Sequence, residues 1–138
     1  QAPSISLPLT VHIPEEYVPN LNTRLSLYRR LAAIDHIEEV KDITQELRDR
    51  FGILPEPVKN LFYMLEIKAL TIGSGVQSIT TEGKQIVIKL SNEKVLNRLL
   101  EDRCYSRALK VGRTQVRLDI GKMRNKWTEV LREILRLF

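Results

Sequence analysis

With 138 residues, 43% of them hydrophobic and 28% charged, the chain can fill one well-packed domain and is too short for two of ordinary size. Aromatic residues make up only 6%, so Leu, Ile and Val must build the core; no apolar run approaches a membrane span, and the single cysteine, Cys104, excludes an internal disulfide framework. The net charge of +5 is unevenly spread: residues 1–72 carry 8 Lys/Arg against 10 Asp/Glu, residues 73–138 carry 14 against 7, and the stretch 101–126 alone carries 8 against 3.

Residues 1–6 read as a linker or leading edge. From Ile5 to Ile13, apolar residues alternate with Ser6, Pro8, Thr10 and His12, which is the period of a strand. Pro8 has no N–H to give a ladder, so this strand belongs at a sheet edge, and Pro14 stops it. A single turn is expected over Glu15–Pro19. The first helix begins near Asn20 or Asn22, either of which can cap it, with Leu25, Leu27, Tyr28, Leu31, Ala32 and Ile34 as its apolar stripe. Asp35 and Glu38 stand in capping-box relation before a second helix, whose Ile37, Val40, Ile43, Leu47 and Phe51 recur every three or four residues. Gly52 is its natural terminator. Pro57 suits the first turn of a third helix, with Val58, Leu61, Phe62, Leu65, Ala69 and Ile72 facing inward, ended by Gly73 and Gly75.

Two strands, 76–81 and 85–90, then flank Glu82-Gly83 as a hairpin. Ser91 can cap a fourth helix carrying Val95, Leu96, Leu99 and Leu100. A second hairpin is expected from 107–111 and 114–120 around Gly112. A last amphipathic helix runs from about Met123 to the end, with Trp127, Val130, Leu131, Ile134, Leu135 and Phe138 on one face. The expected fold is α+β: an N-terminal edge strand, three helices, antiparallel hairpins interleaved with a helix, and a C-terminal amphipathic helix. Residues 7–138 form a single domain in this reading.

The sequence makes no case for an active site. It has no Gly-x-x-x-x-Gly-Lys-Ser/Thr phosphate loop and no Gly-x-Ser-x-Gly elbow. Gly73-Ser74-Gly75 follows a helix instead of opening one, the wrong order for aiming N–H groups at phosphate. His12 and His36 read as surface residues. Cys104, between Arg103 and Arg107, has no evident base beside it. Two histidines and one cysteine leave little for a metal site. The chain lacks both an initiator Met and a signal-peptide pattern, so it reads as a piece of a longer protein.

The second helix carries the odd signal. At roughly 100° per residue, Glu38, Glu39, Asp42, Glu46 and Asp49 share one sector of about 100° opposite the apolar stripe. Like charges spaced i, i+4 cost about 0.2–0.5 kcal/mol per pair, so such a face suits a basic partner as well as plain solvent. The basic half offers a second function class: a nucleic-acid module acting on the phosphate backbone through Arg103, Arg107, Lys110, Arg113, Arg117, Lys122, Arg124 and Lys126.

Two segments resemble the C-terminal domain of the bacterial transcription-repair coupling factors. One is Ile13-Pro-Glu-Glu-Tyr-Val-Pro followed by Arg24-Leu-Ser-Leu-Tyr-Arg-Arg-Leu-Ala. The other is Glu46-Leu-Arg-Asp-Arg-Phe-Gly-Ile-Leu-Pro followed by Val58-Lys-Asn-Leu. The likeness is strong over about residues 7–90 and continues mostly in pattern to the end. The resemblance implies a non-catalytic regulatory domain of a cytoplasmic bacterial protein, monomeric by itself and away from membranes. Such a domain docks onto a UvrB-like N-terminal domain of the same chain, masks a UvrA-binding surface and restrains an ATP-driven translocase. That motor uses ATP and magnesium, engages double-stranded DNA and displaces stalled RNA polymerase; the domain itself needs no cofactor. The acidic docking residues implied by the family match Glu46 and Asp49. Asp42 and Arg50 are neighbouring candidates on the same helix.

Overall fold

The computed structural model describes residues 3–93, 96 and 109–138. The chain divides into two compact units, a helical one over Leu9–Ala69 and a sheet-bearing one comprising the described residues of Gln1–Pro8 and Leu70–Phe138.

In the helical unit, a turn at Glu15–Tyr17 leads into α1 (Leu21–Ala32). Asn20 caps α1, its Oδ1 accepting the Thr23 backbone N–H at 2.9 Å, as the sequence indicated. Helix α2 (Ile37–Phe51) and helix α3 (Glu56–Thr71) follow. Leu27 and Leu31 of α1, Val40, Ile43 and Leu47 of α2, and Val58, Phe62 and Leu65 of α3 share one core, closed by Ile13 and Val18. The core is almost wholly aliphatic, as the scarcity of aromatics requires.

The α1 stripe differs from expectation. Leu25 and Tyr28 are exposed, as are Leu21 and Ala32. Only Leu27 and Leu31 of α1 are buried, with Thr23 and Arg24 half-buried beside them, so the inward face is narrower than the run of apolar residues. The Tyr28 hydroxyl has a separate use: it accepts the Ile13 backbone N–H at 2.6 Å. Asp35 is not a cap. His36 occupies the N-cap position of α2 without a side-chain hydrogen bond, and Asp35 Oδ1 lies 3.3 Å from the His36 ring instead. Gly52 ends α2 as expected, at φ 91°, where an L side chain is strained.

In the sheet unit, β1 (Ser4–Ile5), β2 (Val76–Glu82), β3 (Gln85–Leu90), β4 (Leu109–Val111) and β5 (Gln115–Asp119) form one sheet in the order β1-β2-β3-β5-β4. The expected N-terminal strand is at the edge but covers two residues instead of nine, and it pairs parallel to β2. Pro8 interrupts the donor row, and the Ile13 N–H is taken by Tyr28. Both hairpins are antiparallel. Strand β5 pairs with β3 through Ile86↔Leu118 and Ile88↔Val116, which leaves β4 on the other edge. Ile79, Ile86, Val87, Ile88, Val116 and Leu118 are fully buried.

A short helical turn, Ile120–Met123, and a 3-10 turn, Arg124–Lys126, precede α4 (Trp127–Arg136). The last helix therefore starts four residues later than its apolar period suggested. Arg124, which caps the first turn and opens the second, sits at φ 51°, ψ −132°, so no continuous α-helix can run through it. Trp127, Leu131, Ile134 and Leu135 are its buried side. Ile72 is exposed beyond the end of α3, where the chain turns through Gly73 at φ 74°. Most of the expected fourth helix, and Cys104, lie outside the described residues. Among those described, no helix is long and apolar enough to cross a membrane.

Candidate docking surface

Helix α2 buries Val40, Ile43 and Leu47 and turns Glu38, Glu39, Asp42 and Asp49 to solvent, as its period dictates. Glu46 is the exception within this acidic sector. Its carboxylate is half-buried and held in a bidentate pair with Arg30 of α1, at 2.7 Å from Nη1 to Oε2 and 2.9 Å from Nη2 to Oε1. Arg50, one turn along α2, donates a further bond to Oε2 at 3.1 Å. Hydrogen bonding from Arg30, opposed by partial burial and reinforced by Arg50, pulls the Glu46 carboxyl down to about 2. The same pairing raises the Arg30 guanidinium. A carboxylate offers about four acceptor positions. Three are filled here, which leaves one on Oε1 for a partner.

Arg50 is itself placed. Its guanidinium carbon lies 4.8 Å from the centre of the Phe51 ring, a cation–π geometry. Phe51 meets Tyr17 with ring centres 5.7 Å apart, and the Tyr17 hydroxyl donates to the carbonyls of Leu47 (3.1 Å) and Gly52 (2.9 Å). Both carbonyls lie at the C-terminal end of α2, so one side chain from outside the helix ties its last turn to the residue that terminates it. Burial raises the Tyr17 hydroxyl above its ordinary value, with Arg48 opposing. The two sequence segments that carry the family resemblance are therefore each other's packing partners: Tyr17 of the first closes the helix end of the second.

Asp49 is exposed and accepts one bond from Gln45 Nε2 at 3.0 Å. Asp42 is exposed and lines a shallow groove of about 210 Å³ with Arg30, Glu39 and Glu46. Sequence reasoning placed Glu46, Asp49 and Asp42 on one face but missed Arg30, which lies 16 residues from Glu46 on another helix. Asp35, His36 and Glu39 bring potential ligand atoms within 4.8 Å of one another, all three being exposed.

The basic residues divide by geometry. Arg103 and Arg107 lie outside the described residues. Arg117 is half-buried and engaged with Glu82 (2.8 Å) and Gln85 (3.1 Å), and Arg113 is paired with Glu93 at 2.8 Å. Lys110 is exposed on the edge strand β4, opposite Arg117 in register. Lys122, Arg124 and Lys126 are exposed.

The family model described as the TRCF domain matches residues 7–99 of this chain, a stretch that includes α1–α3, the Tyr17–Gly52 contact and the acidic face. The chain belongs to the TRCF domain family. Among curated members, it is 30% identical to the transcription-repair-coupling factor of Staphylococcus haemolyticus over 98% of its own length and 12% of that protein's. It is 41% identical to that of Mycobacterium bovis over 55% of its length and 6% of that protein's, and 30% identical to that of Escherichia coli over 70% and 8%. The chain thus spans about an eighth or less of these TRCF relatives. Its fold is that of a solved C-terminal domain of a transcription-repair coupling factor, with a TM-score of 0.74 at 24% identity, covering 99% of this chain and 89% of that one. The TRCF assignment drawn from the two segments and the α+β fold drawn from the order of predicted elements agree with these comparisons.

Proposed function

We propose that this chain is the C-terminal regulatory domain of a bacterial transcription-repair coupling factor, acting as a non-catalytic, autoinhibitory clamp. In this reading it docks on a UvrB-like N-terminal domain of the same protein and covers the surface that recruits UvrA. It thereby restrains a cytoplasmic ATP-driven DNA translocase that displaces stalled RNA polymerase. ATP and magnesium belong to motor segments outside this chain; the domain itself uses no cofactor.

The observation that carries the reading is the Glu46–Asp49 face. Glu46 is ionised, held in one orientation by Arg30 and Arg50, and retains one acceptor position, while Asp49 stands exposed one turn away. A face already ordered loses less freedom on docking, and an arginine of the partner can address both carboxylates.

The test is titration of this chain against the UvrB-like domain, wild type beside Glu46→Gln/Asp49→Asn, with circular dichroism as the folding control. A Glu46→Arg change would set a third guanidinium beside Arg30 and Arg50, so the neutral pair is the cleaner probe. Binding weakened at least about tenfold, equivalent to about 1.4 kcal/mol, supports the clamp at this face. Equal binding by both proteins rules this face out. Failure of both, persisting when the two domains are covalently linked, rules out the clamp.

A further inference from the structure

We propose that Lys84, Lys122, Arg124 and Lys126 form a contact surface for the phosphate backbone of duplex DNA. Lys84 lies 38 residues before Lys122 in sequence, yet the fold brings it to the same corner. The Ile120 N–H donates to the Lys84 carbonyl at 2.8 Å, and the Lys84 stem passes 3.6 Å from where a Cβ on Gly121 would stand. All four basic residues are exposed, and among the described residues none is in an ion pair. Of the nearby carboxylates, Asp119 Oδ1 accepts the Lys122 backbone N–H at 3.1 Å and Glu82 holds Arg117 at 2.8 Å, while Glu129, three residues after Lys126, is exposed.

A second observation marks the corner. Arg124 is the one non-glycine among the described residues at positive φ, 51°. That conformation suits glycine, and strain of this kind gathers at functional sites. Duplex is favoured over single strand because, among the described residues, the corner offers no exposed aromatic platform for bases. Trp127, next to Lys126, is buried. The four unengaged cations fit backbone contact that positions a domain without reading sequence.

The test is fluorescence anisotropy of a short labelled duplex with this chain from about 50 to about 200 mM salt. Four phosphate contacts predict a slope of log K against log salt of about −3.6. Lys84→Gln and Lys126→Gln should each remove about one from that slope. The Lys84→Gln/Lys122→Gln/Arg124→Gly/Lys126→Gln variant should bind at least about tenfold more weakly. Arg124→Gly removes the charge while supplying the residue its backbone favours, so circular dichroism of the variant should be unchanged. A Lys110→Gln/Arg113→Gln control should stay close to wild type. The proposal is overturned by absence of binding at low salt, by unchanged affinity in the fourfold variant, by loss confined to the Lys110/Arg113 control, or by tighter binding of single strand than of duplex.

Discussion

Glu46 shows how one side chain can satisfy a sequence pattern and still behave unlike its neighbours. Helical spacing places it with Asp42 and Asp49, but a hydrogen-bonded guanidinium from another helix sets its ionisation. The folded carboxyl titrates near 2 against an ordinary 4.5, so the proton binds more weakly in the folded state. The pair's stabilisation is therefore complete above about pH 4.5 and is lost as pH falls towards 2. Arg30 and Glu46 are 49% and 36% exposed at their side chains, so solvent screening keeps the pair to about 0.5–1 kcal/mol. Arg30→Ala should cost about that much in urea denaturation at neutral pH, and the deficit should shrink on acidification through this window. Carboxyl NMR should show Glu46 titrating higher in the variant, with Arg50 holding it partly down. An unmoved titration would deny Arg30 its role. Sequence periodicity was blind to this pair because it reports a residue's place on its own helix and nothing about what the next helix presents.

At the scale of elements, the most legible features were those with a local cause. Asn20, Gly52 and Gly83 mark boundaries by chemistry within a few residues, and the structure ends α2 at Gly52, caps α1 with Asn20 and turns the first hairpin through Gly83-Lys84, one residue later than the sequence indicated. Misread elements were those whose limits depend on distant partners. The alternation from Ile5 to Ile13 describes a strand that would need a neighbour along its whole length. Past Ser6, whose N–H reaches the Ile79 carbonyl, that pairing stops. The α1 stripe was too wide because a helix can carry apolar residues that nothing covers: Leu21 is 57% exposed. Gly52 supplies a test at this scale. A Cβ there would meet nothing within 4 Å, so any cost of Gly52→Ala comes from backbone strain at φ 91° and not from a clash. The expected loss is about 1–2 kcal/mol in urea denaturation, with little change in the dependence on denaturant. A neutral result would mean the turn relaxes and that the Tyr17 bond to Gly52 adapts with it.

Across the whole molecule, charge and fold divide at the same place. The helical unit, Leu9–Ala69, carries 8 basic against 10 acidic residues, and the rest of the chain 14 against 7. The net +5 is therefore a poor guide to either unit, and the acidic face of α2 was visible only once helix geometry was applied locally. The two proposed contacts are carried by different units and by charges of opposite sign. The two proposed contacts should then be separable by mutation. Glu46→Gln/Asp49→Asn removes two negative charges from the helical unit and should change duplex affinity by less than about threefold, while weakening docking at least about tenfold. The fourfold variant at Lys84, Lys122, Arg124 and Lys126 should do the reverse. Measuring both affinities for both variants gives four numbers, and the expected pattern is two large losses on the diagonal. If either variant weakens both partners equally, docking and DNA contact draw on one surface or one folding defect. Circular dichroism then distinguishes these, because a folding defect changes the helical signal and a shared surface does not.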